Sequence, residues 1–236
     1  MRIETYLNVT PEEIASRQHN IWIGVSLGNS YFTKENIEQY IKWSIDHAKE
    51  KVLVVIADAL HAVNLEVLDH RSQERAFKKA IKIGDQKDIE IQEIIAKLSD
   101  EEKDKVRVVR WKDILENEDY KKNLNAIKDE FHSNPEFHDL IIDIVKFGRQ
   151  DRAERLSRMS LEEMDRLSDY ILYELPHFVN GVQGYGDNMV YTVIPYPGLN
   201  KLDDLAVGLS NKTMFPKLAE KLNLSHKIGV IEAYVE

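Results

Sequence analysis

A serine hydroxyl flanked by glycines stands where the sequence predicts the end of a buried strand. Ser26 lies between Gly24 and Gly28, directly after the apolar run Ile21 to Val25. Glycines let a substrate and the backbone approach each other closely, and loop N–H groups at such a turn can stabilise an oxyanion. The pattern therefore allows a serine nucleophile, and an ordinary small-residue turn that leaves a strand would give the same letters.

A tyrosine and a glutamate four residues apart form the second candidate pair. Tyr170 and Glu174 lie on an apolar helical segment, so their side chains project from one face about one turn apart. A glutamate aimed into the core is costly unless a cation or hydrogen-bond donor meets it. Such a carboxylate can hold a substrate ammonium group or act as a base. The spacing leaves open whether Glu174 faces inward or faces solvent.

Motifs for metal, redox and nucleotide chemistry are not found in the sequence. The chain has no Cys, which excludes disulfides, thiolate metal sites and a Cys nucleophile, and no His-Glu-x-x-His occurs. There is no Walker A loop and no Gly-x-Gly-x-x-Gly after a strand. None of the eight histidines stands in a pattern typical of a catalytic base. We expect no metal and no cofactor, and a substrate that is already activated.

Two basic segments stand out in an acidic chain, which carries 32 Lys and Arg against 41 Asp and Glu and a net charge of −9. The first forms one helical stripe with the spacing i, i+3, i+4 and i+7: Arg75, Lys78, Lys79 and Lys82. The second is a looser cluster: Lys146, Arg149, Arg152, Arg155 and Arg158. Basic stripes are usually solvated helix faces; a functional one would bind phosphates with an affinity that falls with salt.

Buried strands alternating with helices must position these groups. Ile21 to Val25 and Val52 to Ile56 are continuously apolar, and Val106 to Val109 is apolar apart from Arg107; such runs are typical of strands covered on both faces. Helical periodicity from Thr33 to Lys49 completes a βαβ unit. The pattern predicts an α/β chain with one domain over residues 1–236, a Rossmann-like, doubly wound, mostly parallel sheet with helices on both faces. Ligands then bind beyond the carboxyl ends of the strands.

Helix boundaries follow from capping residues, glycine and proline. A long helix is predicted from Ser72 to Leu98, interrupted or bent at Gly84. The helix of Tyr170 and Glu174 begins with a capping box at Ser160 and should end near Pro176. The longest apolar run is far shorter than the roughly 20 residues needed to cross a bilayer, and the N-terminus has no apolar signal core. We expect a cytoplasmic protein without a membrane partner.

Together these features resemble the cyclodipeptide synthases, which divert two aminoacyl-tRNAs into a cyclic dipeptide. The first matching block runs from Ile23 to Phe32, and the second is the Tyr-x-x-x-Glu-x-Pro of Tyr170, Glu174 and Pro176. The order and separation of the blocks also match. The similarity is continuous from about Asn20 to His177 and looser beyond.

The resemblance implies a Rossmann-like monomer, similar to the catalytic domains of tyrosyl- and tryptophanyl-tRNA synthetases, that needs neither ATP nor another cofactor. Its partners would be two aminoacyl-tRNAs, with no DNA partner. Ser26 would take the first aminoacyl group as an ester. The second aminoacyl-tRNA would offer its amine to that ester, giving a dipeptidyl enzyme that cyclises to a diketopiperazine. Covalent catalysis would thus split one condensation into easier transfers.

The resemblance also implies roles for individual side chains. Tyr170 and Glu174 would hold the ammonium group of the first residue, and Asn29 and Gly24 would line its pocket. Tyr196 would assist proton transfer from a late strand. The basic stripe Arg75, Lys78, Lys79 and Lys82 lies where family members carry a tRNA-contacting helix.

Several assignments stay open at the level of the sequence. Tyr191 is close enough to Tyr196 to take the late-strand role, and the general base is not identified. Trp22, Val54 and Asp58 are candidate pocket walls, and among them only Asp58 suggests a polar or cationic side chain in the substrate. Which two amino acids are joined does not follow from these residues.

Two other functions compete with this one. A serine hydrolase could use the Gly24 to Gly28 loop, although a nucleophile elbow needs a helix directly after Ser26 and helical periodicity begins only near Thr33. Alternatively, the chain could be a non-catalytic tRNA-binding relative of synthetase domains, in which replacement of Ser26 would change nothing measurable.

Overall fold

The computed structural model describes residues 1–149, 152–183, 185, 188–222 and 224–236. Its strands are β1 (Arg2–Leu7), β2 (Asn20–Val25), β3 (Val52–Ile56), β4 (Val106–Arg110), β5 (Val182–Gln183), β6 (Val190–Tyr196) and β7 (Gly229–Tyr234). Its helices are α1 (Pro11–Ala15), α2 (Lys34–His47), α3 (Asp58–Val67), α4 (Gln73–Ile95), α5 (Asp100–Lys105), α6 (Trp111–Ile114), α7 (Glu118–Ser133), α8 (Pro135–Phe147), α9 (Ala153–Leu156), α10 (Leu161–Asn180), α11 (Lys201–Ser210) and α12 (Pro216–Lys221).

The strands form one mixed sheet in the order β1-β7-β6-β2-β3-β4, with the short β5 paired to β6. The five strands from β7 to β4 run parallel, whereas β1 is antiparallel to β7 and β5 is antiparallel to β6. Along the chain the sheet grows from β2 outward to β4 and then restarts on the other side of β2 with β6. The predicted Rossmann-like, mostly parallel sheet is confirmed, and its switch point lies between β2 and β6.

Helices cover both faces of the sheet, as predicted. Leu53 and Val55 of β3 point into a core shared with α3, α7, α8, α10 and α11. Val54 points the opposite way, into a core shared with α2 and α4. Every residue of β3 is buried because side chains alternate between these two cores. A continuously apolar strand is the expected consequence, which is why the sequence pattern identified it.

The helix that carries Tyr170 and Glu174 is longer than predicted. Its capping box at Ser160 is present, but α10 continues past Pro176 and ends only at Gly181, whose φ of 74° is a conformation that glycine tolerates. A proline removes one helical hydrogen bond, but the helix can continue when packing stabilises the turn that follows. The residues after Pro176 are buried, so tertiary contacts keep that turn helical.

The helix predicted to bend or break at Gly84 runs without interruption as α4. Gly84 is buried, and a Cβ atom there would lie 2.6 Å from Asp58 Cβ and 2.7 Å from Arg110 Nη2. The glycine therefore serves close packing of α4 on the ends of β3 and β4. No helix among the described residues is long and apolar enough to cross a membrane.

Candidate active site

Ser26 is the first residue after β2, beside the switch point of the sheet. Its side chain is partly exposed, and its hydroxyl lies 3.3 Å from the hydroxyl of Tyr170, within hydrogen-bond distance. The turn that follows is closed by the Asn29 N–H, which donates to the Ser26 carbonyl. The chain thus presents the Ser26 hydroxyl to a cleft between the sheet and α10.

Glu174 lies one turn beyond Tyr170 and faces the same cleft, so the solvent-facing alternative is wrong. Burial raises the pKa of the Glu174 carboxyl to about 8; the cation Arg149 opposes this rise, and the neighbouring carboxylate of Asp203 adds to it. Burial, and then the charge of Glu174, raise the pKa of the Tyr170 phenol well above its ordinary value. Near neutral pH the pair therefore presents a neutral phenol and a carboxyl group poised to ionise.

The late-strand tyrosine at this cleft is Tyr196, at the carboxyl end of β6. Burial and the charge of Glu174 raise the pKa of its phenol, and a hydrogen bond with Asn29 opposes that rise. Tyr191 is buried near the other end of β6, where it pairs with Asn20 and Val182 across the sheet. The structure therefore brings Tyr196, and not Tyr191, to Ser26 and Glu174.

Two neighbouring spaces adjoin these groups, an outer cavity of about 500 Å³ and an inner pocket of about 60 Å³. Both are lined by Ser26, Glu174 and Tyr196. The remaining walls of the inner pocket are largely apolar: Trp22, Gly24, Val55, Ala57, Trp111, Phe178, Ile194 and Leu202, with Asn200 and Asp203 as its other polar walls. Asn29 lines the outer cavity. Of the predicted pocket residues, the structure brings Trp22, Gly24 and Asn29 to the site.

Val54 and Asp58 do not line either space. Val54 packs on the other face of the sheet, and its neighbour Val55 takes the wall position, because a shift of one residue along a strand reverses the face. Asp58 is buried beneath α4, where its carboxylate accepts from Arg110 Nε at 2.7 Å and from the Ala59 and Lys112 N–H groups. Its partners are internal, so it offers no charge to a substrate.

Asp203 and Arg149 are charged groups near Glu174 that were not assigned to the site from the sequence. Asp203 is buried in the first turn of α11, where it accepts from the Asn200 N–H at 2.7 Å, and burial raises the pKa of its carboxyl to about 7. The guanidinium of Arg149 lies 5.5 Å from the centre of the Tyr170 ring. The capping box Asn200-x-x-Asp203, soon after Tyr196, was the available signal for Asp203.

The nucleophile elbow of a hydrolase is not formed. Residues 26–33 contain no helix, and α2 begins at Lys34. His61 lines the outer cavity, but within the described part of the chain no histidine hydrogen-bonds to the Ser26 hydroxyl. A Ser–His pair, which esterase chemistry would use to activate the serine, is therefore missing from this geometry.

The predicted basic stripe lies on the solvent face of α4, outside both spaces. Its four side chains are exposed: Arg75, Lys78, Lys79 and Lys82. Lys78 forms an ion pair with Glu74 at 2.6 Å, which reduces its free positive charge. Because α4 packs along α3, whose His61 and Asn64 line the outer cavity, the stripe lies one helix away from the site.

A serine hydroxyl at the switch point of a Rossmann-like sheet, faced by a buried phenol and a partly buried carboxyl, defines an α/β domain that binds its ligand at the strand ends. The family model for cyclodipeptide synthases matches residues 5–202. The chain belongs to the cyclodipeptide synthase family, and it is an enzyme that forms cyclic dipeptides. A search of curated proteins gives no match.

Solved structures of similar fold belong to the same family. A cyclodipeptide synthase from Bacillus thermoamylovorans is 22% identical, with a TM-score of 0.70 over 93% of this chain and 90% of that one. A Mycobacterium tuberculosis protein, described as relating cyclodipeptide synthetases to type I tRNA synthetases, is 20% identical, with a TM-score of 0.67 over 93% and 87%. The synthase from Candidatus Glomeribacter gigasporarum, bound to Phe-tRNA, is 15% identical, with a TM-score of 0.60 over 92% and 88%.

Proposed function

We propose that the chain joins two amino acids delivered by aminoacyl-tRNAs, with Ser26 as the nucleophile that holds the first. The contact between the Ser26 and Tyr170 hydroxyls, in the cleft that Glu174 also faces, carries the proposal. The ester of an aminoacyl-tRNA is an activated acyl donor, so the transfer needs no nucleotide hydrolysis. The synthase complex with Phe-tRNA supports this substrate class.

In the first transfer, the Ser26 oxygen attacks the ester carbonyl carbon of the aminoacyl-tRNA. The bond to the terminal ribose oxygen breaks, the proton of Ser26 passes to that leaving oxygen, and an aminoacyl-serine ester remains. Tyr170 donates its proton or accepts that of Ser26 across their contact, which orients the nucleophile. A phenol with a raised pKa stays neutral and can keep this hydrogen bond during the transfer.

In the second transfer, the amine of the Ser26-bound residue attacks the ester carbonyl of the second aminoacyl-tRNA. The direction expected from the sequence, attack by the second amine on the Ser26 ester, would free Ser26 and leave the dipeptide on the RNA. A dipeptidyl enzyme requires the opposite direction, because only then does the serine ester survive. The new terminal amine next attacks that ester, and the ring leaves as Ser26 regains its proton.

Glu174 fits the role of a partner for the substrate ammonium group. An ammonium ion beside the carboxyl favours its charged form, and the carboxylate can then accept the proton that the amine must lose before it attacks. A group whose pKa lies near 8 is well matched to proton exchange near neutral pH. Tyr196, which lines the same pocket as Glu174, would assist these proton transfers.

The inner pocket would hold the side chain of the first amino acid. Trp22, Trp111 and Phe178 dominate its walls, and the rings of Trp22 and Phe178 meet edge to face at 5.4 Å. Such walls favour an apolar side chain. We further propose that the enzyme acts as a monomer in the cytoplasm, where charged tRNA is made.

Intact-protein mass spectrometry with aminoacyl-tRNA tests the proposal. The wild type should gain the mass of one aminoacyl group, located at Ser26 by peptide mapping, and should release a diketopiperazine when the second aminoacyl-tRNA is present. Ser26→Ala should form neither adduct nor product while keeping its circular dichroism spectrum and unfolding midpoint. Product formation by Ser26→Ala at the wild-type rate would refute the role of Ser26, and turnover of simple esters without tRNA would favour a hydrolase.

A further inference from the structure

A basic strip lies beside the outer cavity, and two of its members, Arg149 and Arg152, line that cavity. It follows the end of α8 and continues through α9, and its members are Lys146, Arg149, Arg152, Arg155 and Arg158. Residues 146–158 contain five basic and two acidic residues, in a chain whose net charge is −9. Four of the five side chains are exposed, and Arg149 is partly buried. Arg158 forms an ion pair with Glu154, which reduces its free positive charge. The strip nevertheless keeps an excess of basic over acidic residues beside the site of an acidic molecule.

An exposed aromatic ring lies within the same strip. Phe147 is the last residue of α8, is 44% exposed and lines the outer cavity together with Arg149 and Arg152. Leaving that much of a phenylalanine in water gives up the stability that burial would provide. A phenyl ring flanked by guanidinium groups is a surface on which a nucleic-acid base can stack while its phosphates meet cations.

The strip reaches from the catalytic groups to the basic stripe of α4. At its inner end, Arg149 lies over the Tyr170 ring and donates to Asn64 Oδ1 of α3 at 2.9 Å. At its outer end, Arg155 donates to the Leu68 carbonyl at the end of α3 and lies 3.3 Å from His70 Nε2. His70 precedes α4 by only a few residues. Positive charge therefore continues from the exposed face of α4, around the end of α3, to the opening above Ser26.

We propose that this strip, with Phe147, binds the unpaired 3′-terminal nucleotides of the aminoacyl-tRNA while α4 contacts the paired stem. The proposal rests on the function proposed above and assigns the path by which the ester reaches Ser26. Phe147 stacks against one unpaired base, and Arg152 and Arg155 face the adjoining phosphates. Arg149 stands closest to the ester, beside Tyr170.

The combination of an aromatic ring and arginines favours a single strand over a duplex. Bases in a duplex are stacked on one another and are not available to a side chain, whereas unpaired bases stack on aromatic rings and guanidinium planes. Binding of a duplex requires only contacts with phosphates, and the exposed basic stripe of α4 can provide them. An acidic peptide would pair with the arginines but would have no use for the exposed ring.

Fluorescence anisotropy with two uncharged RNA probes tests the proposal. One probe is a labelled hairpin with an unpaired 3′ overhang, and the other is the same hairpin with a blunt end. Phe147→Ala should weaken binding of the overhang probe about 5- to 150-fold, the range expected for one stacked base, and leave the blunt probe unchanged. Phe147→Tyr keeps the ring and should restore the affinity.

Charge is tested by salt dependence. Arg152→Gln should lower the slope of log affinity against log salt by about 0.7 for the overhang probe, the value for one single-strand phosphate contact. Two matched controls should leave both probes unaffected. Leu161→Ala removes an apolar side chain that is 67% exposed at the start of α10, outside the cavity. Lys227→Gln removes an exposed cation just before the amino end of β7, whereas the site lies at the carboxyl ends of the parallel strands.

Wild-type affinity of Phe147→Ala for the overhang probe would overturn the proposal, as would an equal loss of affinity for both probes. An acidic polypeptide that displaces the overhang probe from the wild type and from Phe147→Ala equally well would show a surface that reads charge alone, which also overturns it. The catalytic proposal is tested separately by mass spectrometry, where it fails if the wild type forms no adduct at Ser26. RNA binding by uncharged probes does not depend on that chemistry.

Discussion

Replacement of Glu174 by glutamine should change how the stability of the protein depends on pH. In the folded chain the pKa of this carboxyl is raised from 4.5 to about 8, mainly because burial disfavours its charged form. The folded state therefore keeps a proton that the unfolded chain releases between these two values. Stability falls as the pH rises through that window, since the unfolded state binds fewer protons there. Glutamine has nearly the same shape and cannot ionise.

The magnitude follows from the width of that window. Each pKa unit corresponds to about 1.4 kcal/mol, so Glu174 should lower the free energy of unfolding by about 3 to 4 kcal/mol between about pH 5 and about pH 8. Glu174→Gln abolishes this loss. The variant should match the wild type near pH 5 within about 1 kcal/mol and should be more stable by several kcal/mol near pH 8.

Urea unfolding followed by circular dichroism, at a series of pH values, measures both curves without ligand. The difference between variant and wild type reports the titration of Glu174 together with its coupling to Asp203, the neighbouring carboxyl that raises its pKa. Difference curves that stay flat within about 1 kcal/mol across the window would refute the claim that Glu174 is held in a desolvated site. The same variant should lose cyclic product, since the substrate ammonium would have no carboxylate partner.

Two further predictions concern α4. Replacing Lys78, Lys79 and Lys82 together by glutamine should lower the salt slope of tRNA affinity by about 2 to 3, since each phosphate contact contributes about 0.9, and an unchanged slope would exclude this stripe from tRNA binding. Gly84→Ala should lower the free energy of unfolding by about 1 to 3 kcal/mol, because the added methyl group would overlap Asp58 and Arg110, and a thermal midpoint equal to that of the wild type would show that α4 can shift at no cost.

Much of the architecture could be predicted because the central strands are buried on both faces. The apolar runs of β2 and β3 indicate a parallel sheet directly, and the capping residues Thr33 and Ser160 mark the starts of α2 and α10. For β4 the expected cover on both faces was wrong, because it is an edge strand with Arg107 exposed and Val108 and Val109 partly exposed. The edge strand β1 was missed, since most of its side chains are at least partly exposed and its partner β7 lies at the far end of the chain. Such a strand forms because it pairs with a neighbouring strand, and its own hydrophobic pattern does not predict it.

Two helices near the site were missed for opposite reasons. In α3, seven of ten residues are buried, so the polar face that normally identifies a helix is reduced to a few positions. The sequence of α11 contains a capping box, but the helix was not predicted from it. Asp203, which belongs to that capping box, was therefore not assigned to the site. The helix end at Pro176 was wrong because burial of the following turn outweighs one missing hydrogen bond.

Within the site, residues on the loop after β2 and on one helix face could be predicted, whereas wall positions on a strand could not. The sequence alone does not show which face of β3 lines the pocket. Val54 and Val55 point to opposite faces, so choosing Val54 selects the wrong face. Asp58 shows a second limit, because a carboxylate at a strand end looks available until its internal partner, Arg110, is known. Such partners come from distant segments of the chain, so residue spacing does not predict them.

Because β6 pairs with β2 on the side opposite β3, the site is assembled from both halves of the polypeptide. Ser26 comes from the early half and Tyr196 from the late half, and the two meet only where β6 docks beside β2. A chain that ends after β4 contains the loop of Ser26 but neither α10, which carries Glu174, nor β6, which carries Tyr196. The cleft between these groups can therefore form only after β6 has paired beside β2.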